Sequence, residues 1–184
     1  PLSAWQPRDP GLWITQALDS EWSRELCEGW LAAARREKDK AWSAALVQGL
    51  LAAALRGDTS DWVKSAACVA LHLLDAGQVE GTLLSLLPSG KDDWILRLVR
   101  DHEQPWSVAF TSAFLTYLAK ALSVPADRPF KLYIAKHMAF FAAPESAGEV
   151  ERLATALPEE LRADLEVLAA TLRFRAEMRR ELAP

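Results

Sequence analysis

The sequence predicts an all-α fold, an irregular HEAT-like array of about ten helices of the α-solenoid or helical-bundle kind. Three observations predict it. Between punctuating residues, apolar positions recur at i, i+3, i+4 and i+7, the spacing of one helical face. Glycine and proline interrupt the chain about every twenty residues. A Trp-Ser pattern recurs along the chain, as expected where helix pairs are stacked to bury a shared face. Alternating β-branched runs long enough for a sheet are absent.

The elements follow in order from these marks. The spacing predicts helices over residues 11–18, 20–36, 40–55, 60–75, 79–87, 91–101, 105–122, 129–142, 147–157 and 159–182. Gly57 and Gly77 stand where a helix end would need a left-handed residue. Pro88, Pro125 and Pro144 follow runs that cannot continue through a residue lacking an N–H. Pro105 and Pro129 are placed in first turns, where that N–H would be unpaired anyway, and Asp127 is the N-cap candidate before Pro129.

Aligned on the pair, the repeat reads Trp22-Ser23 with Leu26, Gly29, Trp30 and Leu31; Trp42-Ser43 with Leu46, Gly49, Leu50 and Leu51; and Trp106-Ser107 with Phe110, Ala113, Phe114 and Leu115. The Trp and the positions four and eight residues later share one face, and the small residue at +7 lets a neighbouring helix come close. Asp19, Asp39 and Glu103 precede each Trp by three, where an N-cap or a first-turn acid belongs. Thr59 before Trp62 reads as a degenerate copy. A larger unit also recurs: Trp13-Ile14 leads into Trp22, and Trp94-Ile95 into Trp106, each a short helix followed by a Trp-Ser helix. Core packing is the expected role of Trp22, Trp42 and Trp106.

The 184 residues fit one helical-repeat domain over 1–184, and 51% hydrophobic with 25% charged residues argues for a folded core over disorder. The first residue is not Met, so either the initiator was removed or the chain is a fragment of a longer one. A net charge of −4 gives no basic field for phosphates, which makes nucleic acid an unfavoured partner. No apolar run reaches membrane-spanning length, and the start lacks a signal-peptide pattern. Cys27 and Cys68 sit in apolar helical patterns and read as reduced core thiols of a cytoplasmic protein.

Candidate chemistry is sparse. His72, in Ala70-Leu71-His72-Leu73-Leu74, reads as a core or boundary residue and His137 as a helix-surface residue. His102 sits between two helices in Asp101-His102-Glu103, without the companion ligands a metal needs, and Glu103 reads as a cap of the next helix. The pairs Asp92-Asp93 and Glu159-Glu160 open helices, where the dipole favours them. No motif for a cofactor, a metal or a catalytic triad is present, so enzymatic activity is not expected. Arg35, Arg36, Lys38 and Lys40 read as a solvated turn. In the last helix Leu161, Leu165, Leu168 and Leu172 form the core stripe; Phe174 and Met178 stand off it among Arg173, Arg175, Arg179 and Arg180. The group Arg173, Phe174, Arg175 and Met178 reads equally well as a partner-binding edge or as packing on the preceding helix.

The segments Leu84-x-Leu86-Leu87-Pro88, Trp94, Leu98-Val99-Arg100, His102, Pro105-Trp106-Ser107 and Leu172-Arg173-Phe174-Arg175-x-x-Met178 resemble an uncharacterised bacterial family of Leu-, Ala- and Arg-rich helical proteins. Genes of that family lie near those for MoxR-type AAA+ ATPases, von Willebrand factor A-type proteins and SWIM zinc-finger proteins. The resemblance implies a cytoplasmic bacterial protein in a multi-protein system and carries no catalytic residues. The expected function is a non-enzymatic scaffold or adaptor with protein partners, an AAA+ ATPase system among them. The alternative is a HEAT-like nucleic-acid-binding protein.

Overall fold

The computed structural model describes residues 7–16, 21–37, 39–56, 59–89 and 94–182. Within them lie ten α-helices and no strand. The helices are α1 (Pro10–Gln16), α2 (Glu21–Glu37), α3 (Lys40–Ala54), α4 (Asp61–Leu71), α5 (Ala76–Leu86), α6 (Trp94–Asp101), α7 (Val108–Leu122), α8 (Arg128–Phe141), α9 (Ala147–Ala156) and α10 (Glu159–Glu181). Short 3-10 turns follow α5 at Leu87–Ser89 and precede α9 at Pro144–Ser146, so Pro88 and Pro144 do end α-helical runs. The chain divides into two compact units, Pro1–Val79 and Glu80–Pro184.

In the first unit the core is built from α1 to α4. Leu46, Val47, Leu50 and Leu51 of α3, Trp30 of α2 and Val63, Ala67 and Leu71 of α4 are all buried. Trp30 meets Trp13 edge-on at 4.7 Å between centroids and Trp42 at 6.5 Å, the arrangement aromatic quadrupoles favour. The small residue at +7 of the repeat has the expected use in α3. A Cβ added to Gly49 would stand 2.5 Å from Gly11 Cα, so α1 and α3 cross with their backbones in contact.

The second unit carries a column of stacked rings along one face of α7. Trp106 lies over Phe110 at 4.2 Å and Phe110 over Phe114 at 5.9 Å. Polar ties hold the surrounding helices. Ser112 of α7 donates to Glu149 of α9 at 2.7 Å, and the buried Thr111 hydroxyl accepts the Ala143 N–H at 3.0 Å. Lys131 of α8 is buried, and its ammonium closes the preceding turn by donating to Ala126 O at 2.6 Å and Val124 O at 3.3 Å. Asp127 is the N-cap of α8 by position; its left-handed φ of 49° takes its carboxylate away from the capping N–H groups.

Several local expectations are corrected. The α4 run ends at Leu71, so Gly77 falls inside α5 and is not a C-terminal cap. Ser60, not Thr59, is the N-cap of α4, and the Thr59 hydroxyl instead donates to Ala53 O at 2.6 Å, closing α3. Helix α7 starts at Val108 with Ser107 as its cap, so Glu103 caps nothing and Pro105 precedes the helix. Asp19, Gly57, Asp92 and Asp93 lie outside the described residues.

Candidate functional site

Helices α8 and α10 run side by side in the same direction. Arg128 at the start of α8 bonds Glu160 at the start of α10 at 2.9 Å, and Lys136 bonds Asp164 at 2.9 Å. At the far end Arg175 of α10 donates to Ala139 O at 2.8 Å and Ala142 O at 2.9 Å. Those carbonyls belong to the last turn and cap of α8, which have no acceptor role left inside the helix. A guanidinium there also suits the negative end of the dipole. Burial and the neighbouring Arg179 cation draw the Arg175 pKa down from its ordinary value.

The four residues marked in the sequence therefore separate by role. Arg173 pairs with Glu151 of α9, and Arg175 closes α8. Phe174 and Met178 point outward, 61% and 38% exposed. The sequence missed the apolar residues that lie on α8: Tyr133 at 53% and Phe140 at 71% exposure. A signal for Phe140 was present, since adjacent aromatics on a helix diverge by about 100° and only one of Phe140 and Phe141 can enter the core. Phe141 turns inward toward His137, at 4.9 Å between ring centroids, and His137 also stacks on Tyr133 at 6.3 Å. His137 is thus half-buried between two rings rather than a plain surface residue.

The tryptophans divide as well. Trp106 is buried, and its backbone N–H donates to Phe141 O at 2.9 Å. Trp42 is half-buried, and its indole N–H donates to Pro7 O at 2.9 Å, pinning the segment before α1. Trp22 falls in α2, but its side chain is outside the described residues.

Other candidate groups are disposed as follows. His102 is buried, in the connection between α6 and α7. His72 is exposed, not a core residue, because α4 ends one residue earlier and leaves it as the C-cap. Burial pushes the Cys27 thiol up to about 12, with Glu28 adding to the rise, so it stays protonated and non-nucleophilic near neutrality. Cys68 is half-buried, less enclosed than a core thiol. Among the described residues no three His, Cys, Asp or Glu side chains come together as a metal site would require. No helix among them is long and apolar enough to cross a membrane.

The sequence matches the model of a family of unknown function, DUF5691, over residues 1–182. The chain belongs to the DUF5691 family. No curated protein and no solved structure matches it. For this DUF5691 member the parallel pair α8 and α10, with its outward aromatic and aliphatic side chains, is the candidate functional surface.

Proposed function

We propose that this protein is a non-enzymatic interaction module, a helical-repeat scaffold or adaptor working in a bacterial cytoplasmic complex. The observation that carries the reading is the exposed apolar surface of α8 and α10: Tyr133, Phe140, Val167, Phe174 and Met178. Burying one such side chain is worth about 1.5–3 kcal/mol, so leaving several in water is a standing driving force for association. The Trp-Ser helix pairs support the helical-repeat part of the reading, and the resemblance described above supports an AAA+ ATPase system as the partner. That assignment is an analogy of family, not of site.

Nucleic-acid binding has less support. Lys40, Arg100, Arg128, Lys136, Arg173 and Arg179 each pair with a carboxylate of the chain, which removes cations a phosphate backbone would require.

The test is a comparison of the wild-type chain with the double variant Phe140→Gln and Phe174→Gln. Both side chains are exposed, so the melting temperature should barely move. Proteins captured from a lysate of the source bacterium are quantified for each. The reading expects one or a few proteins recovered near stoichiometry by the wild type and depleted by the double variant. An identical set recovered by both removes the surface from consideration.

A further inference from the structure

The proposed interaction role leaves open what kind of partner would sit on α10, and its charge distribution answers that question. Two apolar stripes run along this helix. Leu161, Leu165, Leu168 and Leu172 form the buried one. Val167, Thr171, Phe174, Met178 and Leu182 form the other, at steps of four, three, four and four residues, which keeps them on one face. This second stripe faces solvent: Val167 is 62% exposed and Leu182, the C-cap, 76%. It runs about 22 Å at 1.5 Å per residue, room for a partner helix of about four turns.

The sequence shows this region as arginine-rich, yet the structure reverses the sign of its free charge. Arg173 is engaged by Glu151, Arg179 by Glu145 at 3.6 Å, and Arg175 by the α8 carbonyls. Arg180, seven residues after Arg173, shares the face that meets α9 and stands away from the stripe. Glu166, Glu177 and Glu181 are exposed and form no ion pair among the described residues. Each immediately precedes a stripe residue, Val167, Met178 and Leu182, so all three stand along the same edge of it. The opposite edge is closed by α8 through Lys136–Asp164 and Arg175.

We infer that this face of α10 docks a basic amphipathic helix of a partner protein, its apolar stripe on Val167, Phe174, Met178 and Leu182 and its Lys or Arg residues on Glu166, Glu177 and Glu181. The inference rests on the interaction role proposed above. Two alternatives meet the same carboxylates unfavourably. A second copy pairing antiparallel on this stripe sets glutamate against glutamate, and a parallel copy puts its carboxylate edge where α8 already lies. An anionic lipid surface repels all three glutamates.

The test uses the full chain and two labelled 18-residue helical peptides. Both carry leucine at i, i+3, i+4 and i+7; one is flanked by lysines, the other by glutamates. Fluorescence anisotropy should show the lysine peptide binding more tightly, with affinity falling as salt rises. The double reversal Glu177→Lys and Glu181→Lys, both exposed and so harmless to the fold, should weaken it at least about fivefold, and Phe174→Gln should do likewise. Equal binding of the two peptides, or a charge-reversed variant that binds the lysine peptide unchanged, overturns the basic-helix assignment. Sedimentation showing a dimer that Phe174→Gln dissociates, or binding to phosphatidylglycerol vesicles, overturns it in favour of those occupants. In each case the depletion of captured proteins by Phe140→Gln and Phe174→Gln still decides the interaction role separately.

Discussion

Helices α3 and α7 are written with the same Trp-Ser pattern and begin at different points of it. In α3 the helix starts before the tryptophan. Asp39 is the N-cap, its carboxylate accepts the Trp42 N–H at 3.0 Å, and Ser43 lies buried inside the first turn. In α7 the helix starts after the tryptophan. Ser107 is the N-cap, its hydroxyl accepts the Phe110 N–H at 3.1 Å, and Trp106 stays outside the helix, stacked on Phe110. The residues between the acid and the tryptophan explain the difference. Lys40 and Ala41 allow a helical turn, whereas Pro105 disfavours helical geometry at Gln104. Glu80 then secures the later start, accepting from both the Ser107 N–H, at 3.0 Å, and the Ser107 hydroxyl. A shared apolar pattern thus fixes which residues are buried, while capping chemistry fixes where the helix begins.

Substitutions separate the contributions of burial and capping. The largest effect is expected for Trp106→Ala, which empties a buried, stacked position and should cost about 3–5 kcal/mol in urea unfolding. Loss of less than about 1 kcal/mol would show that the ring column contributes little packing. Next comes Gly49→Ala in α3. Its new methyl would meet Gly11 backbone, which cannot rotate away, so we expect a destabilisation of about 1–3 kcal/mol despite the better helix propensity of alanine. A gain in melting temperature would mean that α1 and α3 do not cross this closely in solution. The smallest effects are expected at the caps. Asp39→Ala and Ser107→Ala should each cost about 1 kcal/mol. Glu103→Ala, at the position aligned with Asp39, should change stability by no more than about 0.5 kcal/mol. A cost for Glu103→Ala equal to that of Asp39→Ala would restore a common register for the two helices.

The fold class was legible because burial repeats with the helical period: the predicted spans and the ten observed helices agree to within a few residues at most ends. The misreadings share a physical origin. Apolar character continues through His72, Leu73 and Leu74, so periodicity carried α4 past the point where its backbone turns. Gly77 looked like a terminator because glycine's freedom is visible in sequence, whereas its conformation is set by neighbours. The candidate surface was legible only in part. Phe174 and Met178 could be placed off the core stripe by counting along one helix. The identity of the free charges could not, because Arg173–Glu151 and Arg179–Glu145 join residues on different elements, and no local spacing encodes which carboxylate an arginine reaches. Tyr133 was hidden for the same reason, since the face α8 leaves open depends on where α10 lies, whereas the adjacent pair Phe140-Phe141 signalled that one of its two rings must face outward.

The closure of α8 by Arg175 also sets an order in time. The acceptors Ala139 O and Ala142 O are synthesised 36 and 33 residues before the donor that satisfies them. At about 5–20 residues per second a ribosome takes about two to seven seconds to cover that interval. The Trp42–Pro7 and Lys40–Asp75 ties of the first unit each span 35 residues, so they carry an interval of the same length. On a growing chain, then, both units wait on later residues for these ties: Pro7 O on Trp42, Lys40 on Asp75, and the end of α8 on the far half of α10.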